Sequence, residues 1–139
     1  MRRGERGSAA IETAIGVPAF MLFVGLVIGA GRVGLARQAV GAAAAEGARS
    51  ASIARAQHDG EQAARTAVAA TVANQGLRCA ALAVEVDSSG FAKPVGVPAV
   101  VRVRVTCDVG LADVAVPGLP GSLPVSVTME SPLDTYRGR

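Results

Sequence analysis

The stretch Arg6-Gly7-Ser8-Ala9-Ala10-Ile11-Glu12-Thr13-Ala14-Ile15-Gly16-Val17-Pro18-Ala19-Phe20-Met21-Leu22-Phe23 leads into a run without charge from Thr13 to Gly31. Those 19 residues, at about 1.5 Å each in a helix, reach roughly 28 Å, close to a hydrocarbon core of about 30 Å. Phe20-Met21-Leu22-Phe23-Val24 and Leu26-Val27-Ile28 make the run apolar enough for lipid. The competing reading is a buried core helix. A chain with no Trp, one Tyr and three Phe has little to bury such a helix with. The run therefore predicts a membrane-spanning helix. Glu12 stands at its lip, and a carboxylate costs free energy near hydrocarbon, so Glu12 is a functional-site candidate.

Flanking charge gives an orientation. Arg2, Arg3 and Arg6 precede the run and Glu5 offsets only one of them, whereas Arg32 and Arg37 follow it in a long segment where charge counts for less. The N-terminus is expected in the cytoplasm and everything from Arg32 onward outside, with the protein in the cytoplasmic (inner) membrane. The whole chain is 139 residues, which suggests one domain, and its apolar half is mostly Ala and Val. The part outside the membrane is thus expected to be small, thin or supported by a partner. Lys and Arg number 14 against 11 acidic residues, and the arginines are scattered. Nucleic acid would call for a basic stripe with aromatics for stacking, so it is excluded as a partner.

Four regions follow: residues 1–7 before the span, a transmembrane helix over 8–31, an Ala-rich extracytoplasmic helix or helices over 32–76, and a β segment over 77–139. Ala dominates 39–54 and is the best helix former, so the helix is expected to run on through Arg32 to about Gln57. Pro18 should kink it or be tolerated, as in membrane helices generally. Asp59-Gly60-Glu61-Gln62 reads as a break and restart, with Asp59 capping a second helix and Gln62 completing a capping box. That helix would reach Asn74 or Gln75, and Gly76 is placed to end it.

From Leu77 the period becomes two. Leu82, Val84 and Val86 alternate with Ala83, Glu85 and Asp87; Val101, Val103 and Val105 alternate with Arg102, Arg104 and Thr106. Val125, Val127 and Met129 follow the connection Pro117-Gly-Leu-Pro-Gly-Ser-Leu-Pro124. About three antiparallel strands with one apolar face are predicted, covered by the Ala-rich helix, which is an α+β fold.

Cys79 and Cys107, the only cysteines, lie outside the expected span and suggest a disulfide. Pairing Val84 with Val103 sets Glu85 opposite Arg102 and Cys107 opposite Ala80. The bridge then needs a bulge, or needs Cys79 just before the ladder starts. Gly25-x-x-x-Gly29 offers close approach to another helix, though Gly is frequent in membrane helices anyway. His58, the sole histidine, reads as a solvated turn residue without a nucleophile near it in sequence. No nucleophile elbow, Walker loop or zinc signature occurs, so neither an enzyme, a cofactor nor a metal site is expected.

The spacing of Gly7 from Glu12 resembles that of prepilin-type leaders: a short basic leader, Gly at the cut, and Glu at the fifth mature residue. Gly16 fails the same test, because its fifth successor is Met21. Together with Pro18, Gly31-Arg32 and Ala45-Glu46-Gly47-Ala48-Arg49, the run Gly7-Ser-Ala-Ala-Ile-Glu12 resembles the TadE family of pilin-like proteins of the Tad (Flp) pilus and secretion system. The resemblance covers roughly residues 7 to 55. It implies a minor pseudopilin cut between Gly7 and Ser8 by a prepilin peptidase, with Glu12 as the recognition and assembly residue. Other pilin-like subunits, the Tad membrane platform and the lipid bilayer are its implied partners. Glu46 and Arg49, three apart on a helix, could pair with each other. Rival expectations are an uncleaved single-pass scaffold that keeps Met1 and a secreted protein released after Gly31; an extracytoplasmic enzyme ranks last.

Overall fold

The computed structural model describes residues 5–112, 118 and 120–136, with side chains from Ile11 onward. It is an α+β arrangement: a long N-terminal helix and a shorter second helix packed on a three-stranded antiparallel sheet of order β1-β2-β3. The elements are α1 (Glu5–Ser52), α2 (Gln57–Asn74), β1 (Cys79–Asp87), a 3-10 turn (Ser89–Ala92), β2 (Val100–Gly110) and β3 (Ser122–Pro132).

Helix α1 contains 48 residues, about 72 Å by its rise, and passes through Pro18 as one element. It ends at Ser52, earlier than the composition predicts, and the chain turns at Ile53–Ala56. That turn contains neither proline nor glycine. Its cause is tertiary: α2 folds back along α1, burying Gly60, Ala64, Val68 and Val72 against the face that carries Val40, Ala43, Ala44, Ala48 and Ala51. Asp59 is correspondingly not a cap. Ala56 holds the N-cap position with extended backbone and no side-chain cap bond, and Asp59 and Gly60 sit within the first turn. A Cβ on Gly60 would come to 3.0 Å from the Phe91 ring and 3.2 Å from the Ala51 carbonyl oxygen, so this glycine permits close packing and breaks nothing.

The C-terminus of α2 follows its local sequence. Gly76 adopts φ +64°, its N–H donates to the Ala73 carbonyl, and the Leu77 N–H donates to the Val72 carbonyl. This is the paired Schellman arrangement, and Val72 and Leu77 both join the core.

β2 is the central strand, and Val101, Val103, Val105, Cys107 and Val109 alternate inward from it, beneath α1. The core is built almost wholly of Ala and Val side chains. These let helix and sheet approach closely with few rotamers to freeze. The outer face is polar: Arg102 pairs with Asp87 at 3.7 Å and Glu130 at 3.0 Å, Arg104 with Glu85 at 3.9 Å. Being half exposed, these pairs add little stability each, but they match charges across the strands.

The strand register differs from the expected one by two residues. Val84 faces Val105 rather than Val103, Glu85 faces Arg104, and Cys107 faces Leu82. A bulge lies between Cys79 and Leu82 and sets Cys79 opposite Val109. Without it, alternation would turn Cys79 outward. With it, Cys79 shares the inner face with Cys107, and the two form a disulfide with Cα atoms 5.2 Å apart.

Candidate membrane and assembly helix

Among the described residues, none packs around the first part of α1. Ile11, Ile15, Phe20, Met21, Phe23, Leu26, Val27 and Ile28 are all exposed, on every side of the helix. A helix apolar all round is a membrane span or the centre of a large core. Here only 6% of the most apolar window is buried, and the body offers no second layer to cover it. Helix burial begins at Val33 and Ala36 and then follows a stripe through Val40, Ala43, Ala44, Gly47, Ala48 and Ala51. Residues 11 to 32 thus stand clear of the body for about 32 Å, one bilayer core in length.

Gly7 and Ser8 lie in the first turns of α1, and their side chains fall outside the described residues. Glu12 is exposed on the next turn, about 7.5 Å along the axis from Gly7. The structure brings no other described charged side chain beside it. At Gly29 nothing outside its own helical turn comes within 4 Å of where a Cβ would be, and Gly25 lies one turn before it.

The segment Ala45-Glu46-Gly47-Ala48-Arg49 lies where α1 crosses α2. A Cβ on Gly47 would come to 2.7 Å from a Val68 methyl and 3.3 Å from the Ala64 carbonyl oxygen, and Ala48 is buried. The two small residues therefore set the helix–helix distance. Glu46 and Arg49 point to solvent, and no ion pair joins them, contrary to the suggested (i, i+3) pairing. In the sequence Gly47 stands out only as a member of the run Ala45-Glu46-Gly47-Ala48-Arg49. Its packing role depends on Val68 and Ala64, contacts that no local pattern announces.

At the end of the body away from the span, Ser88 is the one buried polar side chain among the described residues. Its hydroxyl donates to Glu61 Oε1 and accepts from Gln57 Nε2 at 2.9 Å. These bonds tie the start of α2 to the β1 end. The Ser88 hydroxyl, then the Gln57 amide, hold the Glu61 carboxyl below the ordinary value of 4.5. A lowered folded-state pKa means stability that is present above the ordinary carboxylate range and lost as pH falls through the folded value. The wild-type protein is accordingly expected to lose stability more steeply than Glu61→Gln between about pH 5 and pH 3, measured by urea melts across that window. Parallel pH profiles would remove Glu61 as a source of acid sensitivity.

His58 is exposed in the first turn of α2, and among the described residues no group of three or more His, Cys, Asp or Glu is drawn together. The arrangement is that of an exposed apolar helix continued by a packing surface. The family model described as "TadE-like protein" matches residues 7–49, which contain the exposed part of α1 and most of its buried stripe. No curated protein and no solved structure matches the chain.

Proposed function

We propose, from the TadE-like match over residues 7–49, that this is a minor pseudopilin-like membrane protein acting in assembly of a Tad/Flp pilus or related secretion apparatus. The match supports association with a Tad pilus. The observation that carries the finer reading is the exposed apolar helix that begins directly behind Glu12. Residues 1–7 act as a prepilin-type leader, 8–31 span the inner membrane with the N-terminus in the cytoplasm, and the body lies outside. A prepilin peptidase cuts between Gly7 and Ser8. The new α-amine of Ser8 then pairs with Glu12 of a neighbouring or the same subunit, which reduces the cost of holding a carboxylate at the lipid boundary. Gly29 and Gly25 let another pilin-like helix approach closely.

The test is the N-terminal residue of the membrane-extracted protein, by intact mass and terminal sequencing. A start at Ser8 that disappears without the peptidase supports the reading. A start at Met1 leaves an anchored scaffold, and one at Arg32 makes this a secreted protein.

Glu12→Ala is expected to insert normally and to fail in assembly. Removing one partner of a desolvated ion pair costs about 3–5 kcal/mol, which lowers incorporation roughly a hundredfold or more. Counting fibres and fibre-bound subunit in the mutant checks this; normal piliation would sink the role given to Glu12.

A further inference from the structure

We propose that the Cys79–Cys107 bridge is made and opened through Cys79, which forms a mixed disulfide with an external dithiol–disulfide partner, while Cys107 acts only as the resolving sulfur. The inference stands apart from the pilus reading, because it rests on the surroundings of the two cysteines.

Those surroundings are unlike. Cys107 is fully buried on β2, the central strand, with β1 on one side, β3 on the other and α1 over its inner face. Its partners across the ladders are Leu82 and Val125. A nucleophile reaching Cys107 Sγ has to part the helix from the sheet. Cys79 is the first residue of β1, an edge strand, and is only half-buried. The bulge interrupts the ladder between Cys79 and Leu82, and Ala80 and Ala81 within it are exposed. A local opening of that strand end bares Cys79 and leaves β2 in place. Thiol–disulfide exchange goes to the sulfur that can be approached. Attack therefore falls on Cys79.

Composition fixes the chemistry of the partner. The chain has 2 cysteines, so there is no wrong internal bridge to rearrange, and the partner acts as an oxidant or a reductant. In closure, the Cys79 thiolate attacks the partner's disulfide; that bond breaks and the partner's second sulfur leaves as a thiolate. The Cys107 thiolate then attacks Cys79 Sγ, and the mixed bond breaks to release the partner as a dithiol. The chain loses two electrons and two protons, and the partner's disulfide takes them up. Closure also selects a register. With Val84 opposite Val103, Cys107 would face Ala80; with Val84 opposite Val105, the bulge brings Cys79 within reach of it. The bridge locks the second.

The test uses the full chain in detergent, oxidised, with reduced glutathione as the probe. After an acid quench and alkylation, peptide mapping locates the glutathione. Wild type is expected to carry it on Cys79 over Cys107 by about tenfold or more. In guanidinium, where both sulfurs are open, the preference is expected to vanish. Equal labelling of the folded protein, labelling on Cys107, or no adduct until the chain is unfolded overturns the assignment. So does a preference that persists in guanidinium, which would belong to local sequence. A second measurement compares Cys107→Ala, whose free thiol is Cys79, with Cys79→Ala, each variant's fold being verified by circular dichroism. Towards an aromatic disulfide the first is expected to react about tenfold faster or more. Equal rates in the folded variants also overturn the proposal.

Discussion

Cys79→Ala with Cys107→Ala is expected to lower the stability of the body by about 3–4 kcal/mol. The bridge joins residues 28 apart, and closing a loop of that length removes about 12 cal/mol/K of entropy from the unfolded chain. For a body of this size the melting temperature should fall by about 15–25 °C. The structure explains why little else compensates. β1 is an edge strand, Leu82 is 40% exposed, and Val84 and Val86 are only half-buried. Helix α2 reaches β1 mainly through Arg65, whose guanidinium donates to the Val84 carbonyl at 2.8 Å. With the bridge gone, β1 is held by one ladder and few apolar contacts, so it should fray first. Thermal melts of wild type, reduced wild type and the variant decide this; a drop of only a few degrees would show that the ladder alone suffices.

The second large effect is expected from Gly90→Ala. A Cβ at Gly90 would overlap the Val100 carbonyl oxygen, and would sit 3.0 Å from Leu133 Cδ1 and 3.1 Å from the Val100 carbonyl carbon. Two of these atoms are backbone at the start of β2, where Leu133 N–H also bonds to the Ala99 carbonyl. They cannot swing aside as a side chain would. Overpacking of this kind costs about 3 kcal/mol, enough to separate the 3-10 turn from the sheet end. Gly110→Ala, with open space around its Cβ, is the control and should leave stability nearly unchanged. Equal melts for the two variants would refute the close-packing account of Gly90.

Much of the architecture was legible because its signals are periodic. Val101, Val103 and Val105 alternate with polar neighbours, and the buried set on β2 follows that alternation. Register was not legible, for a reason that follows from the same periodicity. Sliding β1 by two residues keeps every side chain on its own face, so Val84 opposite Val103 and Val84 opposite Val105 look alike in the pattern. A long β1–β2 connection, containing the 3-10 turn, leaves the loop unable to choose between them. The break between the helices was misplaced because Gly60 serves packing against Phe91 and Ala51, while the reversal at Ile53–Ala56 has no local punctuation. The candidate site divides the same way. Glu12 and the apolar run behind it are contiguous in sequence and could be found there. The contacts of Gly47 with Val68 and Ala64 exist only once α2 has doubled back.

Helix α1 has one further mechanical meaning. It runs unbroken from Glu5 to Ser52, so the rod that stands clear of the body and the rod that forms one side of its core are the same. A pull along residues 11–31 is carried by helical hydrogen bonds in series and delivered directly to Val40, Ala43, Ala44 and Ala48 under the sheet. There is no linker to stretch and no hinge to absorb the stroke. A motor drawing this helix out of a bilayer would therefore lift the folded body as a rigid load, and a twist at the base would turn the sheet through the same angle.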